Sequence, residues 1–393
     1  MNNLFDEIID RNNTDSLKYD AVKSIWGKDN LIPMWVADMD FRTPEYIIDA
    51  VKEKCNNGIL GYTICPDSWY ESIIDWNNRR CNSDICKEDL IFMPGVVKGL
   101  IYAIQSLTNK EDNIMIMPPV YHPFRLSIFN NNRSVVNCPL ILKDGVYDID
   151  KDLFEQKIKD CKMFILCNPH NPGGRVWTKE ELLYIDKICT QNNVIVISDE
   201  IHADLTLPGH ATLMYSTVSD SAKQNSIIFR APSKAFNMPG LSSAYCIIQN
   251  EKLRNRFKDY VTPNEFDTGN IFSYTPVVAA YQKGEEWLNS VVHYIETNVQ
   301  FLDSYLKEKM PKIKAIIPQA SYLVFLDCRE LNLSQKELNS FFADKAKLAL
   351  SDGEMFGKEG VGFMRLNIGC PLEILKKAMC SLETEYLKLE IDQ

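Results

Sequence analysis

The sequence predicts an α/β fold in which a mostly parallel, helix-covered sheet is followed by a smaller α+β region. Three observations carry this expectation. Between residues 90 and 250 short apolar runs alternate with helical patterns, as they do where parallel strands are joined by crossover helices. The runs are apolar at nearly every position, which suits strands covered on both faces. After about residue 280 the pattern changes to long helical stretches with short strands. No repeat, low-complexity tract or Gly/Ser tether intervenes, so a helix is expected to join the two parts.

Composition narrows the function. The 393 residues, 45% hydrophobic and 24% charged, supply ample material for a core. A net charge of −10 repels nucleic acid and anionic membrane, which leaves small-molecule chemistry as the favoured class. The 12 cysteines form no CxxC pair and read as buried reduced thiols. The 5 histidines never recur at i,i+4 spacing, so no metal site is expected. The start, MNNLFDEIIDRNN, is acidic where a signal peptide is basic, and no apolar run reaches membrane-spanning length, so a cytoplasmic location is expected.

The elements follow in chain order, although the N-terminal 40 residues carry no clear pattern. LIFMPGVVKGLIYAIQSL reads as a lead-in to a helix beginning after Gly95, with Val97, Leu100, Ile101, Ile104 and Leu107 on one side. NIMIM (113–117), SVVNC, MFILC (163–167), VIVIS (194–198), SIIF and AYCII read as strands. Between two of them, TKEELLYIDKICTQNN opens with Thr178 and Glu181 in capping-box spacing and places Leu182, Ile185 and Ile188 on one face of a helix. IKAIIPQASYLVFLDC, another helix, the strand MRLNIG and a Leu/Lys-rich terminal helix make up the smaller region.

Three polar residues stand just past strand runs. Asn171 follows MFILC in CNPHNPGGRV, Asp199 ends VIVISD, and Lys234 lies in RAPSKAFNMPG, between a strand run and an expected helix start. Ligands of open α/β sheets sit beyond the carboxyl ends of the strands, so these groups are expected to line one site. Asp199 ends a strand apolar enough to be buried, and a buried carboxylate demands a cation. The free amides of the helix after Gly95 suit a phosphate. A lysine, a buried acid and a phosphate cradle together point to pyridoxal phosphate, with its imine carbon on Lys234 and its pyridine nitrogen on Asp199.

Six segments occur in a telling order: IPMWVADMDF (32–41), GYT (61–63), PPVYHPF (118–124), NPHNPGGRVW (168–177), SDEIHADL (198–205) and SKAFNMPGL (233–241). Over nearly the whole chain, this order resembles the fold type I pyridoxal-phosphate enzymes of the class I/II aminotransferase family, within it the cystathionine β-lyase (C-S lyase) branch. The resemblance implies a large cofactor-binding domain (44–280) with a mostly parallel seven-stranded sheet, and a small α+β domain (281–393). An N-terminal segment (1–43) would contribute to the small domain and the active site.

The resemblance also implies residue roles. Lys234 is the Schiff-base lysine that moves protons, Asp199 keeps the pyridine nitrogen protonated, and Asn171 bonds the ring's phenolic oxygen. His202 stands where many aminotransferases place a tyrosine. Tyr121 stacks on the ring with its hydroxyl near the substrate. The amides of Val96 and Val97, the Ser233 hydroxyl and Tyr62 of a second subunit hold the phosphate, which requires a homodimer. Arg365 grips the substrate carboxylate, with the Ala37 amide assisting. The chain departs from the pattern at Ser242 and Ala231, where many members carry a phosphate-binding arginine and a serine, so the phosphate leans on amides. Two reactions share these groups: β-elimination of a thiol from cystathionine or a cysteine S-conjugate, and transamination. Some relatives also contact a protein partner.

Overall fold

The computed structural model describes residues 4–392. Seven strands form the large sheet: β1 Leu90–Met93, β2 Asn113–Ile116, β3 Ser134–Asn137, β4 Cys161–Cys167, β5 Ile195–Asp199, β6 Ser226–Arg230 and β7 Ala244–Ile247. Their spatial order is β1-β7-β6-β5-β4-β2-β3. β7 runs antiparallel to both its neighbours, and the other pairs are parallel. The unbroken apolar runs have a direct cause, because alternate residues feed two different cores. Ile114, Met163, Ile165, Ile197, Ile227 and Phe229 pack on one face, whereas Met115, Phe164, Leu166, Val196 and Ile228 pack on the other.

The structure departs from the sequence reading in four places. β1 belongs to the sheet, although its four residues read as a lead-in to the helix that follows them. That helix, Val96–Leu107, turns Val96, Leu100, Ala103, Ile104 and Leu107 inward and leaves Val97 and Ile101 only partly covered. No α-helix starts after Lys234. Asn237 takes the left-handed conformation at φ 52° and a short 3-10 turn, Pro239–Leu241, follows. Five of the twelve cysteines are not buried: Cys55, Cys86 and Cys380 are exposed, and Cys65 and Cys81 are partly covered. The helix Lys179–Gln191 carries the expected capping box, with the Glu181 amide donating to Thr178 Oγ1 at 3.2 Å and the Thr178 amide to Glu181 Oε2 at 2.6 Å.

A 25-residue helix, Glu285–Lys309, leads to a four-stranded antiparallel sheet of Lys314–Ile316, Leu323–Asp327, Ser351–Asp352 and Phe363–Asn367. The terminal helix Leu372–Asp392 returns along it, where Tyr294 Oη accepts the Leu372 amide at 2.9 Å. The N-terminal segment does not stand apart. Ile32–Pro33 pairs with Leu348–Ala349, and the Asn367 amide donates to the Met34 carbonyl. Residues 35–41 therefore run between the two sheets.

Close approach of the helix Val96–Leu107 to β6 rests on Gly99, where a Cβ would lie 2.4 Å from the Phe229 ring. Gly99→Ala should cost about 1–3 kcal/mol through overpacking, despite the roughly 1 kcal/mol gain in helix propensity. A lowered denaturant midpoint at unchanged slope is the expected reading.

Candidate active site

Three strand ends supply the polar groups, and the helix after β1 supplies free amides. Asp199 closes β5, in register with Cys167 of β4. Lys234 lies four residues beyond β6 in a turn, and Asn171 four residues beyond β4. The helix Val96–Leu107 starts on Gly95, whose φ of 124° disfavours other residues, and no side chain caps it. Its first turn closes only when the Gly99 amide reaches the Gly95 carbonyl at 3.0 Å, which leaves the Val96 and Val97 amides for an anion.

Lys234 Nζ donates to the Ala37 carbonyl at 2.7 Å. Burial pushes its amine down to about 8, with Arg365 adding to the fall and Asp38 and Asp199 opposing it. Asp199 is buried and accepts the Ile201 amide at 3.2 Å. Burial lifts its carboxyl to about 6, against the Ile201 hydrogen bond and the field of Lys234. Arg365, on the strand Phe363–Asn367, is buried without a carboxylate. Its guanidinium donates to Asn171 Oδ1 at 3.2 Å, the Trp35 carbonyl at 3.0 Å and Ser351 Oγ at 3.1 Å, and lies 4.9 Å over the Phe356 ring. Its buried Nε has no partner. Burial lowers it to about 10, so it stays cationic.

His202 is buried, with Nδ1 3.1 Å from Ser321 Oγ, and burial pushes it down to about 3, which keeps it neutral. Tyr121 donates its amide to the Asn171 carbonyl at 3.0 Å, and burial, helped by the charge of Asp199, raises its phenol. Its hydroxyl therefore keeps a proton to give. Ser233, also buried, directly precedes Lys234. The structure thus gathers Lys234, Asp199, Asn171, His202, Tyr121, Arg365 and Ala37. Ala37, expected to offer its amide, also offers its carbonyl. Tyr62 stays outside, fully exposed in this chain.

Sequence reasoning missed Tyr322 and Asn237. Tyr322 donates to the same Ala37 carbonyl at 2.9 Å and packs edge-on to His202. Its only signal was an aromatic at the head of a strand run, indistinguishable from core. Asn237 Oδ1 accepts the Met39 amide at 2.9 Å, and Nδ2 donates to the Met39 and Phe41 carbonyls at 2.9 and 2.7 Å. A cavity of about 1430 Å³ opens at Lys234, walled by residues 36–41, the helix Glu45–Asn56 and the N-terminal segment. Among the described residues, no group of three or more His, Cys, Asp or Glu is placed to hold a metal ion.

The chain belongs to the aminotransferase class I and II family, whose model matches residues 30–382. It is 40% identical to the cystathionine β-lyase PatB of Bacillus subtilis (strain 168) over 377 residues, 95% of this chain and 97% of that one. Among solved structures, a pyridoxal-phosphate-bound chain from Clostridium difficile 630, provisionally named an aminotransferase, superposes with a TM-score of 0.96. It shares 42% identity, over 98% of this chain and 100% of the other. The pyridoxal-phosphate-bound C-S lyase of Staphylococcus hominis gives a TM-score of 0.91 at 35% identity, over 98% and 99% of the two chains.

The residues present fit that cofactor. A buried carboxyl lacking a contacting cation suits a basic ring nitrogen, uncapped helix amides suit a phosphate, and a desolvated amine suits an aldehyde. The unfilled carboxyl has a cost in the cofactor-free chain. Its folded pKa of about 6 lies above the ordinary 3.8, so the folded state binds the proton more tightly than the unfolded one. Stability is then lost as pH rises from about 4 through 6. Asp199→Asn should stabilise the cofactor-free chain at pH 7 by on the order of 2–3 kcal/mol, and this gain should vanish below about pH 4. Denaturant unfolding across that range measures it.

Proposed function

We propose that the chain is a pyridoxal-phosphate-dependent carbon–sulfur β-lyase that cleaves cystathionine or a cysteine S-conjugate to a thiol, pyruvate and ammonia. The observation that carries the reading is Arg365, a buried guanidinium with an unpartnered Nε and no carboxylate of its own, beside the partly desolvated amine of Lys234. Such a site receives an α-carboxylate and works on the carbon next to it. The lyase names among the relatives support the choice of bond.

The geometry and the family resemblance together support a role for each residue. Arg365 and Asn171, already joined by a hydrogen bond, would hold the substrate carboxylate and the cofactor's phenolic oxygen. Asp199 would pair with the ring nitrogen and favour its protonated form, and neutral His202 would lie near the ring. The helix amides of Val96 and Val97 and the Ser233 hydroxyl would hold the phosphate. When bound, pyridoxal phosphate supplies the sink for the electron pair left on Cα. Lys234, whose amine burial lowers to about 8, removes the Cα proton. The Cβ–S bond then breaks, sulfur leaves with both bonding electrons, and Tyr121 gives it a proton. Water converts the remaining three-carbon enamine to pyruvate and ammonia.

The family name and the provisional name of the Clostridium difficile relative favour a second reading, transamination, which uses the same groups. With cystathionine, the lyase should release pyruvate and homocysteine in equal amounts, and Lys234→Ala should lower the rate at least 10²–10⁴-fold. Little pyruvate, with rapid glutamate formation from ordinary amino acids and 2-oxoglutarate, would replace the lyase by the transaminase.

The active enzyme is a homodimer in this reading. Tyr62 is 112% exposed amid Ile59 at 77%, Leu60 at 67% and Ile64 at 86%, an apolar stretch suited to a second subunit. There Tyr62 would contact the other subunit's phosphate. Mixed Tyr62→Phe and Lys234→Ala subunits, each inactive alone, should recover about a quarter of wild-type activity at random pairing. No recovery after demonstrated subunit exchange would rule out sharing. The unpaired thiols favour the cytoplasm, and the net charge of −10 favours small-molecule substrates over nucleic acid or membrane. No helix among the described residues is long and apolar enough to cross a membrane.

A further inference from the structure

Arg11 belongs to none of the segments that identify the family, yet it reaches the wall of the active site. Its Nη2 donates to Asp38 Oδ2 at 2.8 Å and Ser16 Oγ at 3.1 Å. Its Nη1 donates to Asp38 Oδ1 at 3.1 Å, Asp40 Oδ1 at 2.7 Å and the Met39 carbonyl at 3.2 Å. Lys18, 1% exposed, completes the group, with Nζ 2.7 Å from Asp40 Oδ2 and 3.8 Å from Asp38 Oδ1. Two cations from the N-terminal segment thus clamp two carboxylates on either side of Met39. The other side of the same stretch is held by Asn237 and by Lys234, whose Nζ bonds the carbonyl of Ala37, the residue before Asp38. Both sides open on the one cavity.

We propose that Arg11 is a positioning residue for Lys234: by clamping Asp38 and Met39 it fixes where the Ala37 carbonyl and the Asp38 carboxylate stand relative to the lysine amine. The N-terminal segment then completes the lysine's electrostatic environment. A bidentate pair with three further hydrogen bonds on one guanidinium is far more than an exposed ion pair requires, and Arg is the side chain whose planar fork meets such a set.

The consequence has a sign. Asp38 and Asp199 favour the charged amine of Lys234, whereas burial and Arg365 oppose it; His202 is neutral, and Tyr322 shares the Ala37 carbonyl. Asp38 itself faces Arg11 and Lys18, with Asp40 and Tyr19 beyond them. Without Arg11, Asp38 keeps only the distant Lys18 ammonium, and its field at Lys234 grows. The amine then holds its proton to higher pH. Without the Asp38 charge, it releases the proton at lower pH.

This inference rests on Lys234 being the amine that condenses with pyridoxal phosphate, and the experiment separates the two. The full-length, cofactor-stripped chain receives a brief pulse of pyridoxal phosphate at a series of pH values. Borohydride then fixes it, and peptide mass spectrometry locates and quantifies it. In wild type the fixed cofactor should lie on Lys234, with a definite midpoint pH. Arg11→Leu should raise that midpoint by about half a unit or more, Asp38→Asn should lower it by a similar amount, and Arg11→Lys should restore most of the wild-type value. Cofactor fixed on another lysine overturns the reading of Lys234 and this inference with it. Cofactor on Lys234 with both midpoints unmoved, or moved in the same direction, in folded protein overturns the inference alone. Should Arg11→Leu fail to fold, Asp38→Asn and Arg11→Lys decide the matter: a lowered and a near-wild-type midpoint support it, and two equal shifts overturn it.

Discussion

The carbonyl oxygen of Ala37 is where three parts of the chain meet. It accepts Lys234 Nζ from the turn after β6 and Tyr322 Oη from the small sheet, while its own segment is fastened to the N-terminal cations. One acceptor with two lone pairs satisfies two donors from distant parts of the chain. Residues 35–41 touch both halves, through Arg365 and Asn367 of the small sheet on one side and Lys234 on the other. Asn367, whose Nδ2 donates to the carbonyls of Val36 and Asp38, fixes that stretch from a third direction. The position of Lys234 therefore depends on the packing of a segment nearly two hundred residues away in sequence.

Much of this was legible in the sequence. The strands were visible because a sheet covered on both faces leaves no polar alternation, and Asp199 because an acid ending such a strand needs a reason. Lys234 and Asn171 stood out by their positions just past strand runs, and Arg365 only through the family resemblance. The unread parts share a physical cause. β1 is only four residues long, and its Pro94–Gly95 exit resembles a loop as much as a strand end. The helix expected after Lys234 is replaced by turns, since Asn237 must spend its side chain on Met39 and Phe41 and takes a left-handed backbone to do so. Arg11 and Tyr322 act through tertiary contacts to backbone and carboxylates, which no local period encodes.

Burial of charge alone does not mark the site. Arg230 is as buried as Arg365, at 3% against 6% exposure, and lies at the end of the strand that delivers Lys234. Yet its guanidinium has Glu200 at 3.8 Å and Asp204 at 3.6 Å, and it donates to Asn77 Oδ1 and Cys81 Sγ. Glu200 Oε1 in turn accepts the Tyr215 amide and the Ser198 hydroxyl. That cluster holds opposite charges together behind the strand ends of β5 and β6, and its members answer one another. Arg365 and Asp199 do not. They lie in the same protein with no counter-ion in contact, and each bears the cost of desolvation without an ion pair to offset it. A chain keeps such a pair of opposite, separated charges only where something else completes them. In the proposed function a substrate carboxylate would answer Arg365 and the cofactor's ring nitrogen would answer Asp199, and both charges act on the amine of Lys234.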